Sequence, residues 1–135
     1  TKNRSALVRV PEYKPGKEKA TRIELRSPDP ACNPYLAFAM MLAAGLKGIE
    51  EQIEPPPPVE VDIFRLSDKE RKKLNIDCLP GSLEEAVRAF EGSQLARETL
   101  GDHIFDSLIA NKKVEWDRYR IHVSNYELEK YLSWL

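Results

Sequence analysis

Three charged side chains, Arg22, Glu24 and Arg26, alternate with apolar residues along one short run of the sequence. In an extended strand, alternate residues share a face and lie about 6.6 Å apart, so two guanidiniums would flank one carboxylate. Guanidiniums bind phosphate oxygens in a bidentate fork, and a carboxylate is a hard oxygen ligand for a divalent cation. The spacing suits a nucleotide phosphate and its metal, although a solvated strand face with interspersed charges is the simpler interpretation of the pattern alone.

Further basic residues precede this run. Residues 5–11 form a second β-branched run that contains Arg9, and the Pro15-Gly16 pair between the two runs is a turn signal. The sequence therefore predicts a hairpin within residues 1–30. That hairpin would gather five cations around the single carboxylate of Glu24: Arg4, Arg9, Lys19, Arg22 and Arg26. Such an imbalance is costly unless a ligand supplies negative charge.

The rest of the sequence predicts helices. Asn33-Pro34 supplies a capping side chain and a first helical residue for a helix over residues 33–54, whose apolar first half is typical of a helix buried inside a larger body. Residues 55–66 are a proline-rich linker, and residues 67–135 form a helical region with an amphipathic C-terminal tail. Three Ser-x-x-Glu capping boxes mark helix starts there: Ser67/Glu70, Ser82/Glu85 and Ser124/Glu127. Gly101 is expected to end a shorter helix over residues 94–100. We predict an α+β, mainly α-helical fold, with a two-stranded antiparallel hairpin followed by about five helices.

Composition narrows the functional classes. The 135 residues suit one domain or part of one, and 21 basic against 22 acidic side chains give a net charge of −1, which offers no steering toward nucleic acid or acidic membranes. No apolar run reaches the roughly 18 to 20 residues that span a bilayer. Cys32 and Cys78 lie far apart, as reduced thiols do. We expect a cytoplasmic protein without membrane or nucleic-acid partners, and one that continues upstream of Thr1, which is not an initiator methionine.

Several motifs resemble one family in order and spacing: Asn3-Arg4-Ser5-Ala6, Arg9-Val10-Pro11, Arg22-Ile23-Glu24-Leu25-Arg26-Ser27-Pro28-Asp29-Pro30-Ala31, Asn33-Pro34-Tyr35-Leu36, Ala43-Ala44-Gly45-Leu46 and Glu115-Trp116-x-x-Tyr119-Arg120. They resemble the C-terminal catalytic region of type I glutamine synthetases. The resemblance covers essentially the whole chain but only the final portion of that enzyme.

The resemblance implies a piece of an ATP-dependent ligase that joins ammonia to L-glutamate through γ-glutamyl phosphate, giving glutamine, ADP and phosphate with the help of Mg²⁺ or Mn²⁺. The residue roles that it implies fall on the predicted hairpin. Arg22 and Arg4 would be catalytic, Arg4, Arg9 and Lys19 would bind ATP, Arg4 and Arg26 would bind glutamate, and Glu24 would be a metal ligand. Phosphoryl transfer needs such positioning and charge neutralisation more than covalent chemistry.

The resemblance also implies limits on what this chain can do. The family's other metal-binding carboxylates, its ammonia site and its N-terminal domain do not occur in the sequence, so we expect the chain alone to be inactive. The full-length enzyme is expected to be a dodecamer of two rings. The loop from Glu12 to Lys19 follows no family motif, and Phe64 stands where some type I enzymes carry a Tyr that is adenylylated, so that control is expected to be absent.

Two other functions fit parts of the sequence. The proline-rich segment and the final amphipathic helix could serve a stand-alone helical interaction module without catalysis. A basic hairpin could bind nucleic acid, but Tyr13 is the only aromatic residue near the Arg cluster that could stack on a base. The resemblance favours the ligase interpretation over both.

Overall fold

A computed structural model describes residues 6–134, and the chain divides into two compact units, Thr1–Asp77 and Cys78–Leu135. The prediction for Arg4 lies outside the described residues. In element order, a two-stranded sheet is followed by five α-helices, with short 3₁₀ turns between the two strands, before the second helix and after the last helix. The predicted α+β, mainly helical fold with an N-terminal hairpin is confirmed.

The sheet of the first unit is short. Strand β1 (Val8–Arg9) pairs antiparallel with β2 (Glu24–Leu25), and Arg9 lies opposite Glu24. The Arg26 N–H donates to the Leu7 carbonyl at 2.8 Å, which continues the same register by one pair. Regular pairing covers only two residues in each strand, fewer than the alternating sequence predicted.

The predicted turn between the strands is present. The Lys17 N–H donates to the Lys14 carbonyl at 3.1 Å, and Gly16 has a φ of +79°. Pro at the first corner and a positive φ at the second define a type II turn, which only a residue such as Gly adopts without strain. A 3₁₀ turn, Glu18–Ala20, then leads toward β2.

Helix α1 (Pro34–Glu50) begins where Asn33 and Pro34 predicted. The Asn33 side chain accepts hydrogen bonds from the N–H groups of Tyr35 and Leu36, at 3.0 and 3.4 Å. Within this chain no residue of α1 is buried. Five of its large apolar side chains are exposed: Tyr35, Phe38, Leu42, Leu46 and Ile49. Burial of this helix therefore stays a prediction about a larger body.

The proline-rich segment after α1 ends in two short elements. A 3₁₀ turn, Ile63–Arg65, begins where the Asp62 side chain accepts from the Phe64 N–H at 3.2 Å. Helix α2 (Asp68–Lys73) follows, and Ser67 and Glu70 form the reciprocal capping box that the sequence predicted. These local hydrogen bonds fix both helix starts without any buried residue in either element.

The second unit is built from three helices: α3 (Leu83–Glu91), α4 (Gln94–Arg120) and α5 (Asn125–Tyr131), which a 3₁₀ turn, Leu132–Trp134, extends. Gly101 interrupts α4 with non-helical angles, φ 74° and ψ 156°, so α4 consists of two helical segments that meet at a bend. The sequence predicted that a helix would end at Gly101, and the bend confirms it.

A small core joins α3 to α4. The buried residues are Val87, Ala96, Phe105 and Ile109, and Phe105 is fully buried. The Phe90 ring stacks on the Phe105 ring with 5.1 Å between centroids, and the Arg97 guanidinium lies 4.3 Å from the centre of the Phe105 ring. Since an aromatic pair and a cation over a ring each add to apolar burial, Phe105 is the centre of this unit's packing.

Two of the three predicted capping boxes in residues 67–135 are complete. Ser67/Glu70 and Ser124/Glu127 bond in both directions. At the start of α3, Ser82 Oγ accepts from the Glu85 N–H at 3.2 Å, but the Glu85 carboxylate accepts from the Gly81 N–H instead of the Ser82 N–H. That helix is capped, although not by the reciprocal pattern.

Across residues 6–134 none of the helices combines the length and the apolar character that crossing a bilayer requires.

Candidate functional site

A carboxylate flanked by two guanidiniums lies on one face of the hairpin. The register places Arg9 directly opposite Glu24, and Arg26 follows Glu24 by two residues, so all three side chains lie on the same face. Arg9 Nη1 donates to Glu24 Oε2 at 2.8 Å, and Arg26 Nε donates to Glu24 Oε1 at 2.7 Å. Each carboxylate oxygen therefore has its own guanidinium partner.

The electrostatics of this cluster favour an ionised Glu24. Its pKa lies below the usual value because hydrogen bonds from Arg26 and then from Arg9 stabilise the charged form more than burial destabilises it. The side chains of Arg9 and Glu24 are 48% and 40% exposed, which leaves them open to solutes. Two cations and one anion leave a net positive surface that suits an anionic ligand.

The other predicted site residues of the hairpin lie elsewhere. Arg22 Nη1 donates to the Ala20 carbonyl at 3.3 Å, two residues earlier in its own chain. Lys19 lies in the exposed 3₁₀ turn before β2. Among the ion pairs of the described residues, none includes Arg22 or Lys19. The structure thus brings Arg9, Glu24 and Arg26 together, while Arg22 and Lys19 stay in solvent-exposed positions near the start of β2.

One residue that organises the loop before Lys19 was missed by the sequence reasoning. Glu18 Oε1 accepts from the Gly16 N–H at 2.9 Å and from the Tyr13 hydroxyl at 3.0 Å. The pKa of Glu18 lies below its usual value, first because of a hydrogen bond from its own N–H and then because of the Gly16 N–H. An acidic residue two positions after the glycine of a turn was the available signal, since such a side chain can accept from the turn's free N–H.

A metal ion needs more oxygen ligands than this face provides. Mg²⁺ prefers six oxygens in octahedral geometry, and carboxylates usually supply one or two of them. Over residues 6–134, no three His, Cys, Asp or Glu side chains gather into a group that could hold a metal. Both oxygens of Glu24 already accept from guanidiniums. The described residues do not by themselves fit a metal ion, and the role of Glu24 as a ligand stays a prediction.

A second concave surface lies between α3 and α4, with a volume of about 300 Å³. It is lined by Glu84, Arg88, Glu91, Lys113 and Trp116 among others. Its charges are already paired, Arg88 with Glu84 along α3 and Lys113 Nζ with Glu91 at 2.6 Å across the helices. The Glu84–Arg88 pair lies within α3, and the Lys113–Glu91 pair joins α3 to α4. We assign no chemistry to this cleft.

Comparison with known proteins agrees with the motifs of the hairpin. The family model described as "Glutamine synthetase, catalytic domain" matches residues 1–131. Glutamine synthetase of Mycobacterium tuberculosis is 52% identical over 131 residues, 97% of this chain and 29% of the relative. The glutamine synthetases of Methanosarcina mazei and Thermotoga maritima are 51% and 48% identical, over 98% and 96% of this chain and 29% of each relative. The chain spans less than a third of the length of these relatives.

Proposed function

We propose that this chain is part of an enzyme that uses ATP to ligate ammonia to L-glutamate. The reason is that the chain belongs to the family of the glutamine synthetase catalytic domain. The observation that carries the proposal is the Arg9–Glu24–Arg26 cluster on the hairpin face. Identity of about half over the whole chain to several glutamine synthetases supports the same activity. The reaction would give glutamine, ADP and phosphate through γ-glutamyl phosphate.

The arginines would act through charge and geometry. Glutamate brings carboxylates and ATP brings phosphates, and the planar guanidinium fork matches both kinds of anion. We propose that Arg26 binds glutamate and that Arg9, with Lys19 and Arg4, binds ATP. Arg22 and Arg4 would stabilise the transferring phosphoryl group, whose transition state is helped mainly by positioning and by neutralisation of charge.

Glu24 is proposed as one ligand of Mg²⁺ or Mn²⁺, and the described residues do not supply the others. We also propose that the full-length protein is cytoplasmic and assembles as a dodecamer of two rings, with glutamate, ammonia and ATP as its small-molecule partners. Phe64 is 85% exposed on its 3₁₀ turn and carries no hydroxyl, so we propose that adenylylation at this position does not regulate the enzyme.

The alternatives from the sequence have less support. A stand-alone helical interaction module does not account for a catalytic-domain match over residues 1–131. A nucleic-acid-binding hairpin needs aromatic platforms, and the Tyr13 hydroxyl is held by Glu18 at 3.0 Å in the loop. The ligase remains the function that accounts for most of the residues.

Glutamine formation by the full-length protein tests the proposal. With glutamate, ammonium, ATP and Mg²⁺ or Mn²⁺, we expect the full-length protein to form glutamine and the 135-residue chain alone to form none. Arg26→Ala should raise the KM for glutamate by at least about tenfold, since a charged hydrogen bond contributes roughly 1.5–3 kcal/mol.

Arg65→Ala is the matched control. Arg65 is 88% exposed and pairs with Asp62 at 3.4 Å in the 3₁₀ turn Ile63–Arg65, outside the two strands of the hairpin. Its replacement should leave the KM for glutamate unchanged. Equal effects of the two substitutions would remove Arg26 from the site, and a full-length protein that forms no glutamine would overturn the proposed reaction.

A further inference from the structure

The guanidiniums of Arg9 and Arg26 already have an anionic partner. Glu24 Oε2 accepts from Arg9 Nη1 at 2.8 Å, and Glu24 Oε1 accepts from Arg26 Nε at 2.7 Å. One carboxylate thus bridges the two side chains that the proposed function assigns to ATP and to glutamate. A second anion that approaches either guanidinium must share it with Glu24 or replace Glu24 there.

We propose that Glu24 masks the anion-binding groups of this site, so that phosphate or carboxylate binding displaces its carboxylate from Arg9 and Arg26. The identity of these anions rests on the proposed function. Before an anion binds, Glu24 both positions the two arginines and competes with the incoming anion for them. It holds two mutually repelling cations on one face, and it occupies one hydrogen-bond donor of each guanidinium.

Exposure makes the exchange feasible. The side chains of Arg9, Glu24 and Arg26 are 48%, 40% and 28% exposed, and ion pairs with this much contact with solvent contribute little to stability. A phosphate group carries more charge than one carboxylate and can accept from a guanidinium fork through two oxygens. The ligand is therefore the stronger partner, although Glu24 lowers its net affinity.

The competition makes a prediction that a metal-ligand role alone does not. If Glu24 acted only as a ligand for the metal that accompanies ATP, its neutralisation would relieve only a general repulsion of ATP, and any gain in metal-free binding would persist without Arg9. If Glu24 masks the guanidiniums, Glu24→Gln keeps the shape of the side chain, removes the competing charge, and tightens ATP binding in the absence of metal. The measurement must therefore be made on metal-free protein.

Isothermal titration calorimetry of the full-length protein, stripped of divalent metal with a chelator, tests this. We expect Glu24→Gln to bind ATP about three- to tenfold more tightly than wild type, the range that the loss of two exposed ion pairs allows. Adding Arg9→Gln to Glu24→Gln should abolish this gain, because the unmasked donor is then absent.

Glu84→Gln is the matched control for charge. Glu84 pairs with Arg88 along α3, so its replacement changes the net charge of the protein by the same amount at a residue of the second unit. It should leave ATP affinity unchanged. Thermal melts of each variant verify folding, and Glu24→Asp is a second probe, because its shorter carboxylate cannot bridge both guanidiniums and should give a smaller gain in affinity.

Unchanged or weaker metal-free ATP binding by Glu24→Gln would overturn the masking role, and so would an equal gain in Glu84→Gln. The same conclusion follows if neither wild type nor Glu24→Gln binds ATP without metal. Failure of the proposed function looks different: the full-length protein would form no glutamine, while the tightening of ATP binding in Glu24→Gln would persist.

Discussion

The bend in α4 depends on a glycine, and replacing that glycine should destabilise the second unit. Gly101 has φ 74° and ψ 156°, a combination that is almost restricted to glycine. A Cβ built there meets nothing within 4 Å, so steric contact with neighbours adds no cost. The whole effect of Gly101→Ala is therefore backbone strain, which is of order 1–3 kcal/mol for such a conformation.

Gly92 provides a matched control in the same unit. It ends α3 with φ −79° and ψ −3°, which any residue adopts, and an added Cβ would lie 3.7 Å from the Arg88 carbonyl oxygen, an ordinary contact. Gly92→Ala should be neutral or stabilise the fold by up to about 1 kcal/mol, because alanine restricts the unfolded chain. The two substitutions are chemically identical, but only Gly101→Ala should destabilise the fold.

Native-state hydrogen exchange of the full-length protein measures the difference locally. Amides of α4 on both sides of the bend should lose protection in Gly101→Ala by roughly ten- to hundredfold, the equivalent of about 1.4–2.8 kcal/mol in opening free energy. In Gly92→Ala their protection should hold or increase. Equal protection of α4 in the two variants would refute the argument that backbone strain at Gly101 controls this bend.

Two further predictions concern packing and pH. Phe105→Ala should destabilise the second unit by about 3–5 kcal/mol, since Phe105 is fully buried and stacked on Phe90, while Phe64→Ala at an exposed site should stay within about 0.5 kcal/mol in the same urea denaturation series. The pKa of Glu127 lies below its usual value, first because of the hydrogen bond from the Ser124 N–H. The stability that the ionised Glu127 carboxylate adds to α5 is therefore fully present above the ordinary glutamate pKa. It is lost as pH falls through the lowered pKa of Glu127. Glu127→Gln keeps the capping box without a titrating group, so hydrogen exchange of α5 between pH 7 and 3 should depend less on pH in Glu127→Gln than in wild type; equal pH dependence would contradict this.

Local signals predicted local structure well. The turn at Pro15-Gly16, the cap at Asn33 and the helix end at Gly101 each depend on backbone angles or hydrogen bonds within a few residues, and the structure has all three. A sequence carries these features because no distant partner is needed to form them.

The finer arrangement of the cluster could not be predicted in the same way. Alternation placed Arg22 on the face of Glu24, yet its guanidinium bonds the Ala20 carbonyl, because regular pairing begins only at Glu24 and Arg22 lies in the approach to the strand. Whether a long flexible side chain turns toward a carboxylate or toward a nearby carbonyl is a choice between interactions of similar strength. Spacing in the sequence does not decide between them.

Helix α1 forms from local signals in the sequence, but the burial of its apolar side chains depends on a larger fold. Its cap and its residues form a helix within this chain, but Tyr35 and Phe38 are 83% and 66% exposed. Aromatic side chains exposed at helical spacing are costly in water and mark a surface that another part of a protein covers. The relatives are more than three times as long as this chain, so the burial that the apolar pattern predicts belongs to a fold of that size. The hairpin follows the same logic. Under the proposed function its arginines bind anions, and a metal site there needs further ligands, because the described residues hold no cluster of three His, Cys, Asp or Glu side chains.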